Sequence, residues 1–519
     1  MTNDSPTTAC ETHLSRLFFS GDRVYKQLKA VKLPFVDFSD TDVRCAAATD
    51  EFEQNQGISP DVYLGLADVY EDGKMVDRMI VMRRLAEEDA LVRLLNTGRN
   101  AELITLVARN IAAMHAGLPP LQGEQASPAS ATTIAQNWQD NFAAIQPFVG
   151  TVIDAGPFEQ VQSLAETYIA GRGKLFQDRI DAGWIRQGHG DLRAEHVYCT
   201  PDGPRLIDCV AFDNQLRTSD VLTDVAFLAM DLDRLAGPQA ATELMTAWAE
   251  FTNESHPSSL AHFYVAYRAH VRCKIACLAY EQGQPGAAQM AQHYHDLALR
   301  HLEFSEIKLV LVGGGPGTGK STIAEGVARA TGAIWLRSDE IRKDLAGMGH
   351  DQHAFAEPGE GIYSDDMSNR VHCELQRQTR MLLQSGASVV LDATWQSHNK
   401  RHDLRQIASS AAATTAELRC VIPAAVAKER IARRMASIYN PSDASPELVD
   451  YIAKHFDDWP EATCVDTSGD IATNIATACQ TVSPVTEPAA SPRDHSARFV
   501  LDISMLGDLA LIRDAAEGL

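Results

Sequence analysis

The stretch IKLVLVGGGPGTGKST, running from Ile307 to Thr322, decides the fold of the part of the chain that contains it. Its first seven residues, apolar apart from Lys308, read as a strand. Gly314, Gly315, Pro316, Gly317, Thr318, Gly319, Lys320 and Ser321 then fit G-x-x-x-x-G-K-S/T in full. From Ser321 and Thr322 the sequence STIAEGVARA continues as a helix. Successive backbone N–H groups in such a loop ring a phosphate, and the following helix N-terminus adds positive potential. The pattern predicts that Lys320 reaches the terminal phosphates of ATP and that the Ser321 hydroxyl ligates Mg²⁺.

Downstream, AIWLRS, SVVLDAT and ELRCVI alternate with helical stretches, which predicts a parallel sheet with crossover helices in a three-layer α/β arrangement. Ligands of open α/β sheets bind at the carboxyl edge of the strands, and two aspartates fall there. Asp392 ends VVLDATW, where a carboxylate can hold Mg²⁺ through water; a turn-capping aspartate is the structural alternative. Asp339, in RSDEIRK, can orient and deprotonate a hydroxyl, and can equally cap the helix that follows it. Arg342 stands one turn on, placed to hold an anionic group of an acceptor. AKERIARRMA sets Arg430 and Arg434 four apart on one helix face, either as cations over a transferred phosphoryl group or as a solvated face. Ser442 to Ser445 (SDAS) reads as the start of the next helix.

In this order the parts resemble the P-loop kinases of the polynucleotide-kinase and zeta-toxin type, over about residues 305–470. The resemblance implies that Asp339 activates the acceptor, that Arg342 is its substrate-side partner and that Arg430 and Arg434 are lid arginines. It implies a substrate contact for Arg401 more loosely.

The residues before 305 have a different character. RLFFSGDRVYKQLK alternates in strand fashion and predicts a hairpin turning at Ser20-Gly21-Asp22. A helix is expected around Glu51, and Ile104, Val107, Ile111 and Met114 mark an amphipathic helix over 101–116, followed by loop to 133. Residues 157–182 and 218–303 read as mainly helical, with a strand-and-loop section between them. That section holds His189-Gly190-Asp191-Leu192 and, 17 residues beyond Asp191, the aspartate of Leu206-Ile207-Asp208. One aspartate that accepts a hydroxyl proton and a second that holds Mg²⁺ are what phosphoryl transfer requires.

These motifs resemble the catalytic loop and metal-binding aspartate of aminoglycoside-phosphotransferase-like kinases, over about residues 14–300. The resemblance implies Asp191 as base, Asp208 as metal ligand and Lys26 as the phosphate-holding lysine, steadied by Glu51, with Glu53 as the alternative. His189, Asp220 and Asp224 read as structural. Two departures stand out. The family's second metal ligand, an asparagine five residues after the catalytic aspartate, is His196 here, and Mg²⁺ prefers oxygen to imidazole. A G-x-G-x-x-G loop over the nucleotide is also missing.

A chain of 519 residues exceeds one core, and the expected division is 1–304 kinase-like α+β, 305–480 P-loop α/β, and 481–519 Pro-rich linker and tail. The net charge of −23 argues against a broad nucleic-acid surface, although not against a pocket for one small anion. No apolar run long enough for a membrane span and no secretory pattern are present, so a cytoplasmic protein is expected. Cys273 and Cys277, four apart, read as core residues. The leading expectation is an ATP- and Mg²⁺-dependent kinase acting on a hydroxyl of a small molecule. The alternatives are an ATP-switched regulator with a pseudokinase N-terminal part, and a nucleic-acid 5′-hydroxyl kinase. The whole resembles a bacterial fusion of an aminoglycoside-phosphotransferase-family domain with a P-loop kinase.

Overall fold

Alternating side chains on Ser15–Ser20 and Arg23–Leu28 pair across a two-residue turn at Gly21-Asp22, with Ser20 opposite Arg23 and Gly21 at φ +59°. In this computed structural model, which describes residues 8–11, 14–33, 36–95, 100–211, 213–350, 352, 360–435 and 446–482, that hairpin belongs to a five-stranded antiparallel sheet. The sheet order is Thr8–Glu11, Ser15–Ser20, Arg23–Leu28, Lys74–Arg83, Tyr63–Glu71. Helix Thr41–Ile58 starts at Asp40, whose carboxylate accepts the Asp42 and Val43 N–H groups, and it buries Ala48 with Val24, Leu28, Ile80 and Met82. This is the helix expected around Glu51.

The expected amphipathic helix spans Asn100–Gly117 and buries Ile104, Val107 and Ile111. The stretch read as loop to 133 differs: Gly123–Ala129 is a 3₁₀ turn and helix Ala131–Ile145 begins before the loop was expected to end. Ser130 caps that helix through the Thr133 N–H, a local bond that the spacing of apolar residues does not report. Helices Ala155–Gly171, Gly173–Asp181, Val221–Ala236, Pro238–Thr252, Ser258–Glu281 and Ala287–Ser305 complete this part. Cys273 and Cys277 are both buried there.

The C-terminal strands form a wholly parallel sheet in the order Ile334–Arg337, Val389–Asp392, Lys308–Gly313, Thr414–Val421, Thr463–Asp466. The last of these, a short and mostly exposed strand, has no apolar run to announce it. Val310 and Val312 face helices Lys320–Thr331 and Ile471–Val482, whereas Leu309 and Leu311 face the opposite layer with Ile341, Leu375 and Leu404. Two-sided burial explains why the strand is apolar at every position from Leu309 to Val312, and it gives the expected three layers.

The described residues all fall in one compact unit. The core beneath Leu309 and Leu311 continues into the N-terminal helices. Fully buried Arg172 donates to the Ala411 carbonyl at 2.7 Å, and Ser259 Oγ to that of Gly386 at 2.7 Å. Helix Ile471–Val482 runs two residues into the segment read as linker. The rest of that segment, the tail, Ser442–Ser445 and the Arg434 side chain lie outside the described residues. No helix among the described residues is long and apolar enough to cross a membrane.

One buried histidine makes this packing sensitive to acid. His301 Nε2 donates to Asp233 Oδ2 at 2.8 Å, its Nδ1 meets His262 Nδ1 at 2.9 Å, and Arg300 shares Asp233. Burial outweighs the Asp233 carboxylate and lowers the His301 pKa to about 4. A folded value below the unfolded one, about 6.5, means that the unfolded chain binds the proton first. Stability from this group is therefore full above pH 6.5 and is lost as pH falls towards 4. The expected result is a Tm that declines across that window, with the decline reduced in His301→Asn.

Candidate functional sites

The register of the parallel sheet gathers the C-terminal chemistry. Val312 and Arg337 both lie level with Asp392, so the P-loop, Asp392 and the helix carrying Asp339 emerge at one edge. Strand order reverses on either side of Lys308–Gly313, the switch point where such sheets hold ligands. The loop's glycines are required by its path. Gly317 has φ +77°, and a Cβ there would stand 2.5 Å from the Ala427 carbonyl oxygen; at Gly314, φ +140°, it would stand 2.6 Å from that of Cys420. Thr318 Oγ1 closes the turn onto the Gly315 carbonyl at 2.8 Å, and Thr467 Oγ1 holds the Thr318 carbonyl at 2.7 Å. Gly315, Pro316, Gly319, Lys320, Ser321 and Thr322 complete the loop and the first turn of helix Lys320–Thr331.

Asp392 is 4% exposed. Burial raises its pKa, against Lys320 and a hydrogen bond from Ser321, while Asp339 nearby pushes the same way as burial. Its Oδ1 is buried without a partner among the described residues. A buried carboxylate oxygen left open beside the P-loop serine fits Mg²⁺, a hard cation with oxygen ligands. Asp339 lies in helix Ser338–Leu345 directly after its strand, and Arg337 Nε approaches Asp392 Oδ2 at 3.9 Å. Arg337 carried no sequence signal of its own. Arg342 Nη1 donates to the Ile362 carbonyl at 2.9 Å and its guanidinium lies over Tyr363. Arg430 donates to the Thr467 carbonyl at 2.9 Å, and a Cβ at Gly319 would be 3.5 Å from it, so it borders the loop.

Arg401 requires a correction. It is fully buried, donates to the Trp395 and Asp458 carbonyls at 2.6 and 2.5 Å, and stacks on Trp459 at 4.8 Å. Its donors serve the protein's own backbone, so the expected substrate contact gives way to a structural one. Arg401→Ala is expected to cost roughly 2–4 kcal/mol, because two buried carbonyls lose their donor and a cavity opens; denaturant titration at neutral pH measures it.

The N-terminal residues also converge. Lys26 Nζ lies 2.6 Å from Glu51 Oε1 and is bonded to Asp208 Oδ1. Burial alone would lower the Lys26 pKa, but Asp208 and Glu51 hold it well above the ordinary value. Asp208, at φ +65°, is likewise held well below its usual range by Lys26 and His196, against burial. Glu53 is exposed on the far side of the helix. His196 Nδ1 donates to the Asp191 carbonyl at 2.8 Å, which leaves Nε2 facing Asp208 Oδ2 at 3.8 Å. Asp208 fits Mg²⁺, whereas the His196 nitrogen fits it poorly.

Arg193, which the motif reading passed over, grips Asp191 through both carboxylate oxygens at 2.9 and 2.8 Å. The guanidinium more than cancels burial and lowers the Asp191 pKa. His189 is wholly buried, with burial lowering its pKa to about 4. Asp224 accepts the His189 and Gly190 N–H groups at 2.6 and 2.8 Å, and Asp220 is clamped by Arg179 at 2.7 Å. His189 and Asp224 shape the loop, and Asp220 caps helix Val221–Ala236 through the Leu222 N–H, so all three are structural. Lys26, Asp191 and Asp208 line one cleft of about 1250 Å³ between the antiparallel sheet and the helices.

A family model described as an AAA domain matches residues 309–458. Among solved structures, the chain is similar to a choline/ethanolamine kinase family protein from Mesorhizobium loti (14% identity, 58% of this chain and 92% of that one, TM-score 0.37). It is also similar to a gluconokinase from Sinorhizobium meliloti 1021 (19% identity, 35% and 94%, TM-score 0.25). Uncharacterized protein Rv2004c of Mycobacterium tuberculosis and uncharacterized protein Mb2027c of Mycobacterium bovis are each 33% identical over 469 residues, spanning 88% of this chain and 92% of theirs. With a match of that extent across both sheets, the chain belongs to the family of these mycobacterial proteins.

Proposed function

We propose that the chain is an ATP-dependent phosphotransferase with a P-loop site between residues 305 and 480 and a kinase-like site between residues 1 and 304. The observation that carries this reading is the buried Asp392, with an open oxygen close to Lys320 and Ser321 and with Asp339 at the same sheet edge. A generic ATP-binding loop does not need a second carboxylate there; a kinase does, to receive the acceptor's proton.

At the C-terminal site Lys320 and the loop N–H groups hold the phosphates, and Asp339 orients a small molecule's hydroxyl. The hydroxyl oxygen forms a bond to the γ-phosphorus as the bridging bond to ADP breaks, and the proton passes to Asp339. Arg430, bordering Gly319, neutralises charge on the transferred group. Ser321 and Asp392 are the residues that hold Mg²⁺, which supplies charge neutralisation between the phosphates. In the N-terminal cleft, apolar Leu17, Val24, Met82 and Ile207 offer a slot for a base. Phosphates entering beside it compete with Asp208 for Lys26, and Asp191 faces the acceptor.

The test is single-turnover transfer from γ-labelled ATP to a panel of sugars, sugar acids, nucleosides and oligonucleotide 5′-ends, with Lys320→Ala and Asp191→Ala separating the two sites. Label appearing only as free phosphate throughout would sink the kinase reading. A second reading is favoured by the Arg193 clamp: the N-terminal part binds ligand without chemistry and the P-loop acts as a switch. Label transfer that survives Lys320→Ala and vanishes in Asp191→Ala rules it out.

A further inference from the structure

One wall of the N-terminal cleft is unlike the rest. Helix Ser258–Glu281 presents Tyr264, Tyr267, Arg268 and Arg272 to it, with Lys274 beside them. Arg268 is 7% exposed. It makes no ion pair and no hydrogen bond among the described residues, and its Nε is buried without a partner. Its guanidinium lies over the Phe227 ring at 4.7 Å, a contact with the flat face that leaves the N–H edge unused. Arg272 Nε is likewise buried and unpartnered, with its guanidinium 5.8 Å from the Tyr294 ring.

Carboxylates elsewhere in the cleft do not supply the missing partner. Lys26 occupies Glu51 and Asp208, Arg193 occupies Asp191 and Glu195, and Arg179 occupies Asp220. Asp224 is close enough to feel the Arg268 charge, but its oxygens are taken by the His189 and Gly190 N–H groups. A buried guanidinium without a counter-ion is costly, and it persists where a ligand's charge completes it. Arg presents a planar fork that matches carboxylate and phosphate two bonds at a time.

We infer that the acceptor pocket beside Asp191 takes a small hydroxyl compound bearing an anionic group, carboxylate or phosphate, which Arg268 and Arg272 bind. This rests on the kinase reading only for the word acceptor; the anion site stands on the unpaired arginines. Transfer to such a compound joins its hydroxyl oxygen to the γ-phosphorus of ATP, releases ADP and passes the hydroxyl proton to Asp191.

The test uses the full chain with Mg²⁺ and a saturating non-hydrolysable ATP analogue, so that the P-loop cannot bind the probe. Calorimetric titrations with glucose 6-phosphate and gluconate are compared with glucose and with a cationic aminoglycoside. The expected result is binding of at least one anionic probe, weakened tenfold or more by Arg268→Gln and by the less buried Arg272→Gln. The Arg272 variant keeps the test decisive if Arg268→Gln does not fold. Absence of anionic binding, or binding undiminished in both variants, overturns the inference. Asp191-dependent phosphorylation of the aminoglycoside alone also overturns it and leaves the kinase reading standing. Arg268-dependent anion binding with no transfer to any acceptor supports the site while removing the kinase reading.

Discussion

Replacing Lys320 with alanine is expected to lower phosphoryl transfer at the C-terminal site by roughly 10²–10⁴-fold, the scale seen when one preorganised charge is removed from a transition state. Lys320 opens the helix after the loop, and its charge reaches Asp392. Its loss therefore acts twice. The terminal phosphates lose a cation, and the Asp392 carboxylate, already raised by burial, loses the charge that opposes its protonation. Asp392→Asn keeps the shape and removes the metal-holding charge, so the same loss is expected, together with a steep rise in the Mg²⁺ concentration needed for activity. Initial rates across a Mg²⁺ series, with nucleotide binding measured separately, distinguish the two variants. Lys320→Ala that turns over at the wild-type rate on an acceptor insensitive to Asp191 would remove the P-loop from the chemistry.

The second large effect is expected at Asp208. On the proposed reading, Asp208→Asn removes a ligand for the nucleotide's metal; it also frees Lys26, which then keeps only Glu51 at 2.6 Å. Transfer from the N-terminal site should fall roughly 10²–10⁴-fold, as for Asp191→Asn. The two variants differ in binding. Asp208→Asn weakens Mg·ATP, whereas Asp191→Asn leaves Mg·ATP binding intact and lowers only the rate. Because Arg193 grips both Asp191 oxygens, Arg193→Gln separates clamp from catalyst. A clamp that restrains the base predicts faster transfer in Arg193→Gln, with Asp191 titrating at higher pH. A binding role for Arg193 predicts a higher KM instead.

Much of the candidate chemistry was legible because it sits in contiguous motifs. A loop of the form GGPGTGKS has few ways to be built, and Gly314 and Gly317 are fixed by backbone paths that no side chain tolerates. Asp339 and Asp392 were readable as strand ends, since the carboxyl edge of a parallel sheet follows from strand direction alone. Lys26 with Glu51 could be guessed only through the resemblance, because 25 residues separate them and pairing depends on how helix Thr41–Ile58 lies against the sheet. Arg401 misled for a related reason. An arginine after a strand-end aspartate reads the same whether its guanidinium faces a ligand or two buried carbonyls.

By itself, the sequence determined that the chain carries a P-loop on a parallel α/β sheet, preceded by a hairpin, helices and a paired-aspartate loop. These are local patterns, set by apolar periodicity and by the steric demands of glycine. Only the tertiary structure decided which charges meet. Arg193 on Asp191, His196 turned towards Asp208, Arg172 joined to the Ala411 carbonyl, and Arg268 left without a counter-ion all depend on long-range packing. A charge is paired or orphaned according to what is buried beside it, and burial is a property of the whole fold rather than of any segment.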